Sequence, residues 1–100
     1  MKVLVIDGQG GGLGRQLVTA VKARYPEAEV LAVGTNSAAT NAMLKAGADQ
    51  AATGENSVAV ACRKADAIMG PVGIVIADSM LGEITPRMAV SIGQRMRWLI

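Results

Sequence analysis

The 100-residue sequence predicts a single α/β domain, a doubly wound parallel sheet of four to five strands with helices on both faces, giving three layers. Short apolar runs alternate along the chain with segments that carry apolar residues at helical spacing. Five glycines within seven positions separate the first apolar run from the first helical segment. Hydrophobic residues make up 51% of the chain and charged residues 18%, which is the composition of a folded domain.

The strands are predicted from runs of Val, Ile, Leu and Ala that end at turn residues. The first run, "KVLVI", is apolar on both faces, as a strand covered by helices on both sides requires. The third run is a weaker signal because its side chains are small. Strands are expected at residues 2–6, 29–34, 48–53 and 66–70, and the first half of an incomplete fifth strand at residues 97–100.

The helices are predicted from start and stop signals together with apolar spacing. The first helix follows the glycines, carries Leu17, Val21 and Tyr25 at helical spacing, and ends at Pro26. Further helices are expected at residues 35–47, 54–65, 71–82 and 85–96. The segment 71–82 is also rich in Val and Ile, so a strand there is an alternative.

Capping residues mark the ends of two of these helices. Gly47 follows the second helix as a C-cap glycine, while Thr85 and Pro86 open the last helix as N-cap and first helical residue. The apolar residues of this last helix fall on one face, a stripe more typical of a core than of an interface: Met88, Ile92 and Met96.

The glycine cluster lies where a doubly wound sheet binds its ligands, outside the carboxyl end of a strand. The candidate phosphate-binding residues form one continuous loop: Gly8, Gln9, Gly10, Gly11, Gly12, Leu13 and Gly14. We expect the first glycine to make the tight turn, the middle three to let backbone N–H groups approach a phosphate, and the last to bring the helix close to the sheet. The alternative is a structural turn without a ligand.

The glycine spacing fits two loop patterns. Gly8, Gly12 and Gly14 give G-x-x-x-G-x-G, which resembles the loop of short-chain dehydrogenases, while Gly8, Gly10 and Gly14 give G-x-G-x-x-x-G. The common G-x-G-x-x-G pattern fails because Leu13 occupies its third glycine position. No P-loop can be drawn, since no Lys follows the glycines.

The other strand ends are also polar or rich in glycine, and in a parallel sheet they line the same edge. These further candidate ligand-binding residues are Gly34, Thr35 and Asn36, then Thr53, Glu55 and Asn56, and finally Gly70 and Pro71. Several of them are equally suited to capping the helix that follows. The pattern therefore predicts one crevice along this edge, with Asn36 and Glu55 as candidates for contacts to a sugar or base.

The second strand end leaves the cofactor undecided. Sites for NAD carry an acid there, and sites for NADP an arginine nearby. Residues 34–36 are neutral and no arginine follows. NAD or NADP is therefore a possible cofactor, and another nucleotide is not excluded.

Catalytic residues are not defined by the sequence. There is no His, and the only tyrosine, Tyr25, is not part of a Tyr-x-x-x-Lys pair. Asp7 is a weak candidate for a general base, but we favour a role in holding the glycine turn through backbone N–H groups. Glu55 is a second weak candidate, and Asp78 and Glu83 are suited equally to capping or pairing.

Composition excludes several classes of partner. A net charge of +2 without a basic cluster early in the chain argues against nucleic acid, and no apolar run approaches the roughly 20 residues of a membrane span. Cys62 is expected to be a small buried thiol. We expect a cytoplasmic protein, and a homo-oligomer because a core of small side chains is marginally stable alone.

Four stretches together resemble a bacterial family catalogued as domain of unknown function 3842: "VIDGQGGGLG", "GTNSAATNAMLKAGAD", "ATGEN" and "GPVGIVIADSMLGEITP". The resemblance covers nearly the whole chain and implies a small Rossmann-like protein whose fifth strand continues further in relatives. The residues themselves leave three hypotheses for the role of the protein. They are a nucleotide-binding protein, an enzyme subunit whose active site a partner completes, and an assembly module that uses residues 72–96.

Overall fold

The computed structural model describes residues 1–71, 82 and 84–93 of the chain, and their strands form one parallel sheet. The strands are β1 (Lys2–Asp7), β2 (Glu29–Gly34), β3 (Gln50–Thr53) and β4 (Ala67–Met69). Their order across the sheet is β3-β2-β1-β4. Val3 of β1 pairs with Val30 of β2 on one side and with Ala67 of β4 on the other.

Four helices of the described chain cover the two faces of this sheet. They are α1 (Gly12–Arg24), α2 (Ser37–Lys45), α3 (Glu55–Lys64) and α4 (Pro86–Gly93). The three predicted layers of a doubly wound fold are confirmed, with α1 and α2 on one face and α3 and α4 on the other. Within the described residues, no helix is long and apolar enough to cross a bilayer.

The core divides between the two faces because successive side chains of a strand point in opposite directions. Val3 and Val5 of β1 pack under α1 and α2, whereas Leu4 and Ile6 pack under α3 and α4. On the second face the buried side chains of the flanking helices include Val58, Cys62, Met88 and Ile92. The expectations of a buried Cys62 and of a core-facing stripe on the last helix are both confirmed for these residues.

Local signals set the ends of the helices. Gly47 follows α2 with φ +115°, a left-handed backbone that favours glycine. The Thr85 hydroxyl accepts a hydrogen bond of 3.2 Å from the Met88 N–H, so Thr85 is the N-cap of α4 as predicted.

Tyr25 corrects the prediction for the first helix. Its side chain is 58% exposed, and the buried positions of α1 are Gly14, Val18 and Val21. Tyr25 is the C-cap residue, with φ −129° and ψ 72°, because a residue before proline is disfavoured in the helical region. The apolar residues at helical spacing therefore include one residue, Tyr25, that α1 does not bury.

Some predictions fall outside the described residues. These are the interior of the 71–82 helix, Met96, the fifth strand at 97–100, and the candidate acids Asp78 and Glu83.

Candidate functional site

The candidate site lies at the point where the strand order reverses. The chain leaves β1 through α1 to reach β2, and it later returns through α3 to place β4 on the other side of β1. Ligands of doubly wound proteins bind outside the carboxyl ends of the strands at such a point. The glycine loop follows β1, and Gly70 and Pro71 follow the neighbouring strand β4.

The glycine loop is a tight turn that leads directly into α1. The Gly11 N–H donates to the Gly8 carbonyl at 2.9 Å, which closes the turn predicted to begin at Gly8. The left-handed positions are Gln9, with φ 50°, and Gly11, with φ 73°. A non-glycine residue in that region is uncommon, so Gln9 stores local backbone strain at the tip of the loop.

The three central glycines have different surroundings. A Cβ atom on Gly11 would lie 2.9 Å from Ala39 Cα and 3.2 Å from Ala42 Cβ, so this glycine packs directly against α2. A Cβ atom on Gly10 or Gly12 would meet no described atom within 4 Å. The open side of the loop is therefore formed by Gly10 and Gly12, both exposed, while Gly11 is buried.

The Asp7 carboxylate holds the two ends of the loop together. Its Oδ1 accepts from the Gly8 N–H at 2.8 Å, and its Oδ2 accepts from the Gly14 N–H at 2.7 Å. Asp7 is only 5% exposed. The expectation that Asp7 braces the turn through backbone N–H groups is confirmed, and these bonds occupy both of its oxygens.

Gly14 brings α1 into contact with the end of β1, as predicted. A Cβ atom there would lie 2.7 Å from Asp7 Cβ and 2.7 Å from Met43 Sδ. Any larger residue would push α1 away from the sheet and lengthen the bond that Gly14 donates to Asp7.

Asn36 links the glycine loop to α2. Its Oδ1 accepts from the Ala39 N–H at 2.9 Å, which makes Asn36 the N-cap of α2. Its Nδ2 donates to the Gln9 carbonyl at 2.9 Å. The same side chain thus caps a helix and fixes the strained tip of the loop.

The ends of β2 and β3 are joined by Thr40, a buried residue that the sequence reasoning missed. Its hydroxyl lies 2.7 Å from the Thr53 hydroxyl, and either of the two can be the donor. The carbonyl oxygens of Asn36 and Ala52 lie 3.1 and 3.2 Å from the Thr40 hydroxyl, which can donate its one hydrogen to either of them. A Cβ atom on Gly34 would clash with the Thr40 hydroxyl and lie 2.6 Å from its backbone N. The only sequence signal for this role of Thr40 was a polar residue on the face of α2 that is otherwise apolar and buried.

Glu55 and Asn56 lie apart from the glycine loop, beyond the end of β3. Neighbouring strands are about 4.8 Å apart, so the end of β3 is roughly 10 Å from that of β1. Asn56 is not a cap, because Gly54 with φ +102° precedes α3 as its N-cap. Asn56 instead lines a cavity of about 300 Å³ between α3 and the neighbouring strands β2 and β3.

Glu55 connects α3 to the start of α4. Its Oε1 accepts from Arg87 Nη1 at 3.3 Å. The pKa of Glu55 lies below its ordinary value of 4.5, chiefly because the Thr85 side chain donates a hydrogen bond to the carboxylate. Partial desolvation opposes this effect, and the hydrogen bond and positive charge of Arg87 add to it. These partners belong to helix packing on the face opposite α1 and α2.

The Glu55 interaction predicts a pH dependence of stability. A carboxylate whose pKa is lowered on folding stabilises the native state above its unfolded pKa, and this contribution is lost as the pH falls through the folded pKa. We expect Glu55→Gln to be less stable than the parent near neutral pH, and the gap to narrow below about pH 4.5. Urea unfolding of both proteins between pH 3 and 7 measures the gap, and a gap that does not change with pH would contradict the assignment.

In the described part of the chain, no group of three His, Cys, Asp or Glu side chains is placed to hold a metal ion.

The fold and the loop together define the class of this protein. A parallel sheet in the order β3-β2-β1-β4, helices on both faces and a glycine turn after β1 make it a Rossmann-like α/β domain. Residues 2–97 match the family model described as "Domain of unknown function (DUF3842)", and the chain belongs to that family. No curated protein and no solved structure gives a significant match.

Proposed function

We propose that the protein binds the phosphate of a nucleotide-type ligand at the glycine loop. The observation that carries this proposal is the side of the loop at Gly10 and Gly12, where a Cβ atom would meet no described atom within 4 Å, directly at the N-terminus of α1. A backbone without side chains at these two positions lets a phosphate approach the N–H groups.

The start of α1 supplies the donors that such a ligand needs. The first N–H groups of a helix have no acceptor within the helix, and the helix dipole favours an anion beside them. Asp7 takes the N–H of Gly14. The N–H groups of Gly12 and Leu13 belong to the same first turn and point toward the loop end of the helix.

Gly10→Val tests the proposal. The backbone at Gly10 is not left-handed and a Cβ atom there would meet no described atom within 4 Å, so we expect the variant to fold with an unchanged melting temperature. The valine would occupy the space assigned to the phosphate, and we expect affinity for the ligand to fall at least tenfold.

The measurement starts with a thermal-shift screen of the parent protein against AMP, FMN, NAD and NADP, followed by calorimetry on any hit. A ligand at 100 times its Kd stabilises the native state by about 2.7 kcal/mol, which is readily seen for a domain of this size. Ala20→Val, at an exposed position of α1, is the control for added bulk. Equal affinity of Gly10→Val and the parent would remove the loop as the binding site.

A further inference from the structure

We propose that the outer edge of β3 is the interface of a homodimer, in which β3 pairs antiparallel with β3 of a second copy of this chain. Within the described residues β3 pairs with β2 alone, at the end of the sheet opposite β4. Gln50, Ala52 and Thr53 are exposed. None of the residues 50–53 is charged or proline, the types that natural proteins place on an edge strand to prevent such pairing.

The backbone of β3 presents two of its residues to the outside of the sheet. The N–H and C=O groups of successive strand residues point to alternate sides. The Gly54 N–H donates to the Gly34 carbonyl at 3.0 Å, so Ala52, two positions before Gly54, also faces β2. Ala51 and Thr53 therefore face outward. The Thr53 carbonyl accepts from the hydroxyl of residue 57 at 3.1 Å and keeps a second lone pair for another donor.

A second copy of the chain offers a matching edge. A two-fold axis beside Ala52 makes the two strands antiparallel and places Ala51 of each copy opposite Thr53 of the other. Each of these two pairs can exchange two backbone hydrogen bonds. The two Ala52 residues then face each other as a non-hydrogen-bonded pair, in which the Cα atoms are about 4.5 Å apart and small side chains fit well.

The position of α2 suits the same arrangement. This helix packs on both β2 and β3, which places its axis near the midpoint between the two strands. Because paired strands are about 4.8 Å apart, the α2 helices of the two copies would lie roughly 10 Å apart. That is the distance between directly packed helices, so the strand pairing and a helix contact can form together.

Leu44 lies on the side of α2 that this dimer buries. Gly11 of the glycine loop packs on Ala39 and Ala42, which mark the opposite side of the helix. Thr40 contacts β3 through its hydroxyl, and Leu44 follows it by one helical turn on the same side. Leu44 is 47% exposed, although it is a large apolar residue beside an open strand edge. The second α2 helix would cover it.

The charges of α3 are complementary between two antiparallel copies. Its first turn carries Glu55, and its last turn carries Arg63 and Lys64. Antiparallel pairing puts the last turn of each α3 at the same end of the interface as the first turn of the other, so opposite charges face each other. Lys64 also lines the cavity between α3 and β3, which opens toward this edge. Asp49 precedes β3 but is already paired with Lys22 at 3.0 Å. This pattern favours a second copy over an unrelated strand.

Sedimentation equilibrium of the full chain over a dilution series tests the proposal. We expect a mass of twice the 10.3 kDa of one chain at submillimolar protein, and a shift toward the mass of one chain on dilution. The mass of one chain at every concentration would overturn the proposal.

Leu44→Lys and Ala51→Pro locate the interface. The lysine would place a desolvated charge between the two α2 helices, and the proline would remove an outward N–H while the bonds to β2 remain. We expect each substitution to weaken dimerisation at least tenfold. Val90→Lys is the matched control, because Val90 is 60% exposed on α4, which packs against α3.

Circular dichroism of the dilute proteins checks that each variant is folded. If Ala51→Pro does not fold, Leu44→Lys decides. A folded Leu44→Lys protein that dimerises as tightly as the parent and Val90→Lys would overturn the proposal.

Hydrogen exchange identifies the paired strand directly. We expect the N–H groups of Ala51 and Thr53 to exchange slowly in the dimer and faster on dilution, while that of Ala52, bonded to β2, stays protected at both concentrations. A dimer in which Ala51 and Thr53 exchange as fast as in the dilute protein would contradict pairing through β3.

Discussion

Gly34→Ala is expected to lower the free energy of unfolding by about 3 kcal/mol, the upper part of the usual range for overpacking a buried site. The new methyl group would overlap the Thr40 hydroxyl and lie 2.6 Å from the Thr40 backbone N and 2.8 Å from the Asn36 carbonyl oxygen. None of these atoms is the free end of a flexible side chain. Thr40 N donates to that same Asn36 carbonyl within the first turn of α2, and its hydroxyl joins α2 to β3.

The measurement is urea unfolding followed by circular dichroism, supported by the melting temperature. A loss of 3 kcal/mol corresponds to a fall of roughly 15 °C for a domain of 100 residues. Gly10→Ala is the matched control, since it adds the same methyl group where no described atom lies within 4 Å. If Gly34→Ala and Gly10→Ala unfold at the same urea concentration, the close packing of α2 on β2 is not as described.

The fold was predictable because its signals are local. Gly47 and Thr85 mark helix ends through their own backbone and side-chain chemistry, which needs no knowledge of distant residues. The alternation of strands and helices then leaves few topologies, since parallel connections are right-handed. The bracing role of Asp7 was also predictable, because its partners Gly8 and Gly14 lie within seven residues of it.

The contacts that shape the site were less predictable because they join residues far apart in the chain. Gln9 and Asn36 are 27 positions apart, and Thr40 and Thr53 are 13 apart. Sequence spacing could place their strand ends on one edge, but it could not show that Gly11 packs on α2 while Gly10 stays open. It also could not show that Glu55 turns toward α4, since that depends on where Arg87 lies in the folded domain.

Asp7→Ala is expected to cost about 4 kcal/mol, because it leaves two buried N–H groups without an acceptor at roughly 1–3 kcal/mol each. The groups are those of Gly8 and Gly14, which both donate to the Asp7 carboxylate. A loss of this size is a large part of the 5–15 kcal/mol that usually holds a domain together. Asp7→Asn keeps one acceptor oxygen but turns its amide N–H group toward the other donor, so we expect an intermediate loss.

The variant Asp66→Ala separates the effect of burial on stability from the effect of losing a hydrogen bond to a backbone N–H. Asp66 is an exposed aspartate whose Oδ2 also accepts a backbone N–H, that of Lys2, at 2.8 Å. Water can replace that acceptor, so we expect a loss of less than about 1 kcal/mol in the same urea measurement. An Asp7→Ala protein as stable as Asp66→Ala would contradict the bracing role and return Asp7 to consideration as a general base. A large loss of stability in Asp7→Ala, with a smaller loss in Asp7→Asn, would instead mean that the Asp7 carboxylate stabilises the loop. The glycine turn would then depend on this one side chain for the shape that it presents to a phosphate.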